Sequence, residues 1–218
     1  MDWGNEMKEK VVRRSLVDQV HLFLMQRIQN RSLQQGERLN IEELAREFEV
    51  SRTPVREAIS RLMQEGFVVQ NHNAGPCVAS FTKEQELDVI RANTALFQCV
   101  FEFLPESKDL DGLIKDLEDH IQNQKQADNL DAFHAASIQF HTAIIERCCN
   151  QAICQFAMQT QHQMNMFALY FQIEAKFREK SIQEHQEILE AIRSERWSLA
   201  SSLMKTHNEF ALEYFRKE

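Results

Sequence analysis

The chain has 218 residues, of which 43% are hydrophobic and 27% charged, and its formal net charge is -8. These values are typical of a folded globular protein and exclude a largely disordered chain, and the length allows two domains that each bury a core. No run approaches the roughly 20 apolar residues of a membrane helix, and no apolar segment follows the charged N-terminus. We therefore expect a cytoplasmic protein. Five cysteines without a CxxC pair predict reduced thiols rather than a disulfide framework or a zinc knuckle.

Charge and chain-breaking residues divide the sequence at the same place. Residues 1–80 contain eleven basic and eleven acidic residues, so the whole excess of acid lies in the remainder. Four of the five glycines and two of the three prolines also fall at or before Pro76. The sequence thus predicts a mixed, electrically neutral domain at 1–80 and an acidic, all-helical bundle at 81–218. The expected fold class is mainly α.

The first 80 residues predict three helices and a hairpin. A helix over about Ser15–Asn30 is followed by the turn QQGERL, and a second begins after Asn40, which can cap it. The third has Thr53 as its predicted cap and Pro54 at its first position, where the missing N–H has no partner anyway. The predicted apolar face of the first helix comprises Leu16, Val20, Leu24 and Ile28. Two short β-branched segments around the turn NHNAG then predict a hairpin.

Two short helices about a four-residue turn, followed by a hairpin, are the pattern of a winged helix-turn-helix, whose second helix enters the major groove N-terminus first. The leading residues of that helix are Ser51, Arg52, Thr53 and Arg56. A guanidinium can grip a phosphate or the O6/N7 edge of guanine, and a helix N-terminus attracts anions. Asn73 and Gly75 in the hairpin can approach the minor groove. The alternative is a solvated face whose arginines pair with Glu49, Glu57 or Glu65, but the order of the elements favours DNA binding.

Residues 36–68, GERLNIEELAREFEVSRTPVREAISRLMQEGFV, closely resemble the N-terminal module of GntR-family bacterial transcription regulators. In that family LA is followed by VSRTPVREAL, then by RL and EG. The resemblance implies a winged helix-turn-helix that docks as a dimer on a palindromic operator. On matching positions it implies Arg52, Thr53 and Arg56 as the main DNA contacts, with Gly75 at the wing tip.

The remainder looks like the all-helical ligand-binding domain of the FadR-type subfamily, the FCD domain. The family pattern DxxFH, Asn, EHxxIxxAI and MxxH appears here as SIQFH (137–141), Asn150, EHQEILEAI (184–192) and MKTH (204–207). In many members the aspartate and three histidines hold a divalent metal beside a small carboxylate effector. The resemblance therefore implies a metal site formed by His141, His185 and His207. It implies effector contacts from Arg91, Ser137 and Asn150.

This chain departs from the family at Ser137, which stands where the aspartate belongs. A neutral hydroxyl supplies at most a weak or water-mediated contact, whereas three imidazoles with water still suit zinc or nickel. We therefore expect a weakened site that favours zinc or nickel over manganese or magnesium. His134 lies seven residues before His141, about 10 Å along a helix axis at 1.5 Å per residue, which is too far to bind the same ion.

The leading hypothesis is a homodimeric DNA-binding regulator whose helical domain senses a small carboxylate-type metabolite, a divalent metal or both. We favour a repressor over an activator. A metal sensor, in which the ion itself is the effector, is the alternative that shares the DNA function. A helical metalloenzyme is the rival from another class, and the sequence disfavours it because it offers no HExxH helix, no nucleophile motif and no phosphate loop. We therefore expect no enzymatic activity.

Overall fold

The computed structural model describes residues 15–168 and 175–217, without the side chains of 167–168 and 214–217. Over these residues the chain contains nine α-helices, a short 3-10 turn and one two-stranded sheet, so the prediction of a mainly α fold is confirmed. The chain divides into two units. The first comprises the described residues up to 63 together with 68–78, and the second comprises 64–67 and everything from 79 onward.

The first helix, α1 (Leu16–Gln29), begins where the sequence predicts. Ser15 caps it: the N–H of Asp18 donates to Ser15 Oγ at 3.1 Å, and the N–H of Ser15 donates to Asp18 Oδ2 at 3.2 Å. Three of the four predicted apolar positions are buried, namely Val20, Leu24 and Ile28. The prediction is wrong for Leu16, which is 56% exposed. Its spacing matches the apolar stripe, but the first turn of the helix extends past the packed core.

The next two helices, α2 (Ile41–Glu47) and α3 (Arg52–Gln64), form the helix-turn-helix. Asn40 caps α2 as predicted, because its Oδ1 accepts from the N–H of Glu42 at 3.0 Å. The α3 helix begins at Arg52, so the prediction that Thr53 lies before the helix as its cap is wrong by two residues. Pro54 is then the third helical residue, where a missing N–H still removes no intrahelical hydrogen bond.

The turn between α2 and α3 holds a residue in the left-handed region. The N–H of Val50 donates to the carbonyl of Ala45 at 3.0 Å, and the N–H of Glu49 donates to that of Arg46 at 3.3 Å. This is a Schellman ending, in which the residue after the C-cap takes a positive φ. Here that residue is Glu49, with φ 55°, although glycine adopts this conformation without a steric penalty from Cβ.

We expect Glu49→Gly to raise the free energy of unfolding by about 0.5–1 kcal/mol, because it removes the Cβ that opposes the left-handed conformation. Urea unfolding followed by circular dichroism measures the change. The matched control is Glu43→Gly, an exposed position inside α2, which should lower the free energy of unfolding by about 1 kcal/mol. Equal destabilisation by both substitutions would contradict the prediction.

The hairpin consists of β1 (Val68–Asn71) and β2 (Gly75–Val78), which pair antiparallel with Val69 opposite Cys77 and Asn71 opposite Gly75. A segment before α2 lines the other side of β2, since the N–H of Leu39 donates to the carbonyl of Pro76 at 2.8 Å. The hairpin is therefore fastened to the helix-turn-helix as a wing, as the sequence predicts.

The second unit contains six of the described helices. Their bounds are α4 (Lys83–Phe103), α5 (Leu110–Gln126), α6 (Leu130–Glu146), α7 (Gln151–Ala168), α8 (Ala175–Arg193) and α9 (Trp197–Lys217). The helix α4 packs on α7 and α9, α5 packs on α6 and α8, and the contacts of α6 with α7 and of α8 with α9 close a ring. Its interior is an apolar core that includes Phe97, Phe140, Leu113, Leu117 and Ile188.

Two further observations bear on the exclusions drawn from the sequence. Each of the five cysteines stands as a free thiol in the structure. Among the described residues, no helix combines the length and the apolar character needed to span a membrane.

Candidate functional sites: an exposed helix start and a buried histidine cluster

The apolar and polar residues at the start of α3 lie on different faces of the helix. Val55, Ala58, Ile59 and Leu62 are buried, whereas Ser51, Arg52, Thr53 and Arg56 are all exposed. A helix held in place by one face thus presents its leading turn to solvent. Arg52 Nη1 lies 2.9 Å from Glu42 Oε1, and both side chains are 61% exposed. Such a surface pair is worth at most about 1 kcal/mol, so a phosphate or a guanine edge can replace the carboxylate.

Arg61, the third arginine of α3, is engaged within the unit. Its Nη1 donates to Asp18 Oδ1 at 3.2 Å, which connects α3 to the first turn of α1. The Ser15 hydrogen bonds, and to a smaller extent Arg61, hold the pKa of Asp18 below its usual value, so this carboxylate is ionised at neutral pH. Arg61 thus takes part in the contact between α3 and α1 at the surface of the unit.

The tip of the wing carries the other two predicted DNA contacts. Asn73 is exposed, and its N–H donates to Asn71 Oδ1 at 3.0 Å. Gly75 has φ +84°, and no atom lies within 4 Å of the position a Cβ would take. The glycine is therefore explained by its backbone conformation, and the space beside it is open.

The three predicted metal-binding histidines converge inside the second unit. His141 on α6, His185 on α8 and His207 on α9 are all buried, and their candidate ligand nitrogens lie within 4.8 Å of one another. The Nε2 atoms of His185 and His207 are 3.3 Å apart. Tetrahedral zinc with Zn–N bonds of about 2.0–2.1 Å separates two ligand nitrogens by about 3.3 Å. The histidine cluster therefore fits a divalent ion of this size.

Two neighbours orient the imidazoles, and the sequence interpretation missed both. His185 Nδ1–H donates to Gln124 Oε1 at 2.8 Å, and His207 Nδ1–H donates to Glu184 Oε2 at 2.7 Å. Each bond leaves the Nε2 lone pair directed toward the cluster, as a metal ligand requires. A signal existed for Gln124, because it continues the buried stripe of Leu113, Leu117 and Ile121 on α5 as a polar residue.

Burial keeps two of the histidines neutral. Desolvation, and secondly the proximity of His207, hold the pKa of His141 well below its usual value. The same causes, with a further contribution from His141, hold the pKa of His185 well below its usual value. Neutral imidazole is the form that binds metal, so no proton has to leave these two rings at neutral pH. His185 also stacks on Phe140, with ring centroids 4.0 Å apart.

A cavity of about 80 Å³ adjoins the histidine cluster between α6, α7, α8 and α9. Its apolar lining residues are Phe133, Ile138, Met164, Phe177 and Ala211. Its polar lining residues are Ser137, Gln161, Asn165, Ser181 and Asn208, together with His134, His141 and His207. Ser137 thus lies beside the cluster as the sequence predicts, and His134 belongs to the cavity wall rather than to the cluster.

The other two predicted effector residues lie elsewhere. Arg91 is 53% exposed, and its Nη1 donates to Asp88 Oδ1 at 2.9 Å on the same helix. Asn150 immediately precedes α7 and caps it, since its Oδ1 accepts from the N–H of Ile153 at 3.2 Å. Neither belongs to the described lining of the cavity, so the prediction that they join Ser137 around one effector is corrected: the former is paired at the surface and the latter is used as a helix cap.

Comparisons with protein families match both units. The model described as "Bacterial regulatory proteins, gntR family" matches residues 16–78. The FCD domain model matches residues 107–210. Together they cover most of the chain, and the second match contains all three histidines of the cluster.

Individual relatives are similar over different extents. The gluconate operon transcriptional repressor of Bacillus subtilis (strain 168) is 30% identical over 125 residues, 56% of this chain and 51% of that one. The chain spans about half the length, or less, of the curated relatives it matches. A GntR transcriptional regulator from Rhodococcus sp. RHA1 has the same fold, with a TM-score of 0.76 and 21% identity over 94% of this chain and 99% of that one. McbR/YncC of E. coli has a TM-score of 0.74 and 24% identity at the same coverages.

Proposed function

The chain belongs to the GntR family of bacterial regulatory proteins and carries an FCD domain. On this premise we propose that residues 1–80 bind operator DNA. We propose that residues 81–218 bind an effector and form the dimer. It is a transcriptional regulator and not an enzyme, which removes the metalloenzyme rival. We propose further that it acts in the cytoplasm as a homodimeric repressor. Repression is favoured by the B. subtilis relative, which is a repressor of the gluconate operon.

The observation that carries the DNA-binding proposal is the exposed start of α3. Its guanidinium groups stand at the amino end of a helix whose opposite face is buried. The N–H groups of that first turn add a favourable field for phosphates. We propose Ser51, Arg52, Thr53 and Arg56 as contacts in the major groove and Asn73 and Gly75 as contacts of the wing. In this arrangement the arginines contact base edges or phosphates, and the wing contacts fix the orientation of the DNA-binding domain on the duplex.

The histidine cluster supports a proposal of divalent metal binding. His141, His185 and His207 would hold the ion, with zinc or nickel favoured by three nitrogen ligands. Such an ion would supply a positive charge inside the bundle. Gln124 and Glu184 would fix the ring orientations, and Ser137 would contribute no charge to the ion.

Regulation requires that the effector distinguish two states of the protein. We propose that a small molecule binds in the cavity and changes the affinity for DNA by binding one state more tightly than the other. The carboxylate class implied by the family resemblance needs a positive partner. Among the described lining residues no lysine or arginine offers one, so the proposed ion at the histidine cluster would supply that charge.

An electrophoretic mobility shift with the DNA upstream of the protein's own gene tests the DNA-binding proposal. Binding is expected at low salt and should weaken steeply as salt rises, because contacts to phosphates release counterions. A failure of the full-length protein to bind this DNA or a genomic library at low salt would overturn it.

A metal sensor is the second candidate, and the geometry of the histidine cluster favours it. If the ion is the effector, then metal-free protein and metal-loaded protein must differ in DNA affinity without any organic ligand. Metal analysis of the purified protein, followed by DNA titration of the metal-free and the metal-loaded protein, decides between a metal sensor and a sensor of an organic molecule. Equal affinities would show that the ion is not the effector.

A further inference from the structure

Two of the places where the chain passes between the units are hydrogen-bonded to each other. The chain leaves the second unit after Phe67 and returns to it at Ala79. The N–H of Ala79 donates to the carbonyl of Phe67 at 2.9 Å, and both residues are buried. The pair Phe67 and Ala79 is named the junction.

The junction follows α3 after a short turn. Gln64 is the last residue of α3, and it already belongs to the second unit. Gly66 has φ +83°, a left-handed conformation that terminates a helix. Phe67 comes next in the chain. Because three residues separate Phe67 from the end of α3, a displacement of this side chain acts on the helix that carries the predicted DNA contacts.

The junction packs on α7 inside the second unit. The ring of Phe67 contacts the ring of His162, with centroids 5.2 Å apart. At Gly66, the position that a Cβ would take lies 3.4 Å from Cγ of Gln163. Two consecutive residues of α7 thus hold the segment that follows α3.

The same part of α7 also forms a wall of the cavity. Gln161, Met164 and Asn165 line the cavity. At about 100° per residue these three positions share one side of the helix, whereas His162 and Gln163 occupy the remaining part of its circumference. A single helix therefore contacts the cavity on one side and the segment after α3 on another.

Hydrogen bonds between buried amides fix the orientation of α7 beside the cavity. Asn93 on α4 is fully buried, and its Nδ2 donates to Thr160 Oγ1 at 3.1 Å and to Gln161 Oε1 at 3.4 Å. Gln161 Nε2 donates in turn to Asn165 Oδ1 at 2.9 Å. Rotation of α7 would leave these buried groups unpaired, which is costly. A ligand that contacts Gln161 or Asn165 therefore acts on a helix with a defined orientation in a close-packed interior.

We infer that α7 carries the regulatory signal, and that Phe67 is the positioning residue through which occupancy of the cavity changes the DNA affinity of α3. The inference rests on the proposed function, because it requires that α3 bind DNA and that a ligand bind in the cavity. Coupling between two binding sites is reciprocal. If a ligand in the cavity alters DNA binding, then DNA binding alters the cavity, and the signal can be measured with DNA as the probe.

Full-length protein labelled at the methionine methyl groups is titrated with the DNA fragment that it binds in the mobility shift. The NMR resonance of Met164, which lines the cavity on α7, is expected to move. The resonance of Met204, which is buried in the apolar core on α9, is expected to move less.

Fluorescence anisotropy on the same samples reports whether DNA is bound. Bound DNA with an unmoved Met164 resonance, or with equal shifts for Met164 and Met204, would overturn the inference and leave the proposed function intact. A protein that binds no DNA loses the proposed function, and the inference fails with it.

The role of Phe67 is tested by substitution. Phe67→Leu keeps an apolar side chain at the junction and removes the ring that contacts His162. This variant should still bind the DNA fragment, because Phe67 is not among the proposed DNA contacts, but the shift of the Met164 resonance should be lost. The matched control is Phe156→Leu, the same change at a 55% exposed position of α7, which should keep the shift.

His162→Ala removes the other ring of the contact and should cause the same loss, so the test does not depend on the folding of one variant. A full shift of Met164 in folded, DNA-bound Phe67→Leu and His162→Ala proteins would mean that the signal reaches α7 by another route, such as α4. That result would contradict the assignment to Phe67.

Discussion

The double substitution Arg52→Ala, Arg56→Ala is expected to weaken operator binding on the order of 30- to 20,000-fold at constant salt, because each lost arginine contact is worth roughly 1–3 kcal/mol. The fold should survive, since both side chains are exposed and Arg52 gives up only a surface pair with Glu42. Fluorescence anisotropy with labelled operator DNA measures the loss. Circular dichroism and the unfolding midpoint check that the protein is intact.

The third arginine of α3 provides the matched control. Arg61 pairs with Asp18 inside the unit, so Arg61→Ala should reduce DNA affinity by less than about tenfold. The salt dependence of binding distinguishes phosphate contacts from base contacts. Each lost phosphate contact should reduce the magnitude of the slope of log K against log salt by about 0.9, whereas a lost base contact should leave the slope unchanged. A double variant that binds the operator as tightly as wild type at the same salt would rule out this end of α3 as the DNA-reading surface.

The first unit could be predicted from the sequence because its signals are local. Ser15 and Asn40 cap helices within three residues of themselves, and the apolar spacing of α3 identifies the face that is buried. Such patterns depend on neighbours a few positions apart. Leu16 was predicted wrongly because spacing assigns a residue to a face without saying where along the helix the core ends.

In the second unit, parts of the candidate site could not be predicted from local sequence patterns alone. The three histidines come from three helices separated by many residues, and only the family resemblance grouped them before their convergence was seen. Gln124 and Glu184 were missed because the partner of an imidazole depends on how α5 and α8 are rotated in the ring of helices. Arg91 was misassigned for the same reason, since its helix directs it to Asp88 and to solvent.

His185→Ala is expected to lower the affinity for zinc by at least about 1,000-fold, because it removes one of three nitrogen ligands and leaves two imidazoles that seldom hold the ion alone. It should also destabilise the metal-free protein by about 2–4 kcal/mol, since the ring is fully buried and stacks on Phe140. Isothermal titration with zinc measures the first effect. Thermal unfolding with and without the ion measures the second.

The two effects can be separated because they depend differently on the metal. In wild type, zinc in excess over its Kd is expected to raise Tm, because it would bind the folded state alone. In His185→Ala this increase in Tm should disappear, whereas the destabilisation from lost packing should remain with and without zinc. Glu184→Gln removes the carboxylate that orients His207 and should lower the affinity for zinc about 10- to 100-fold. His72 is an exposed histidine of the wing turn, and His72→Ala should change neither the affinity for zinc nor the increase in Tm that zinc causes. If zinc stabilises His185→Ala as much as wild type, then the ion binds elsewhere and the histidine cluster is a packed part of the core.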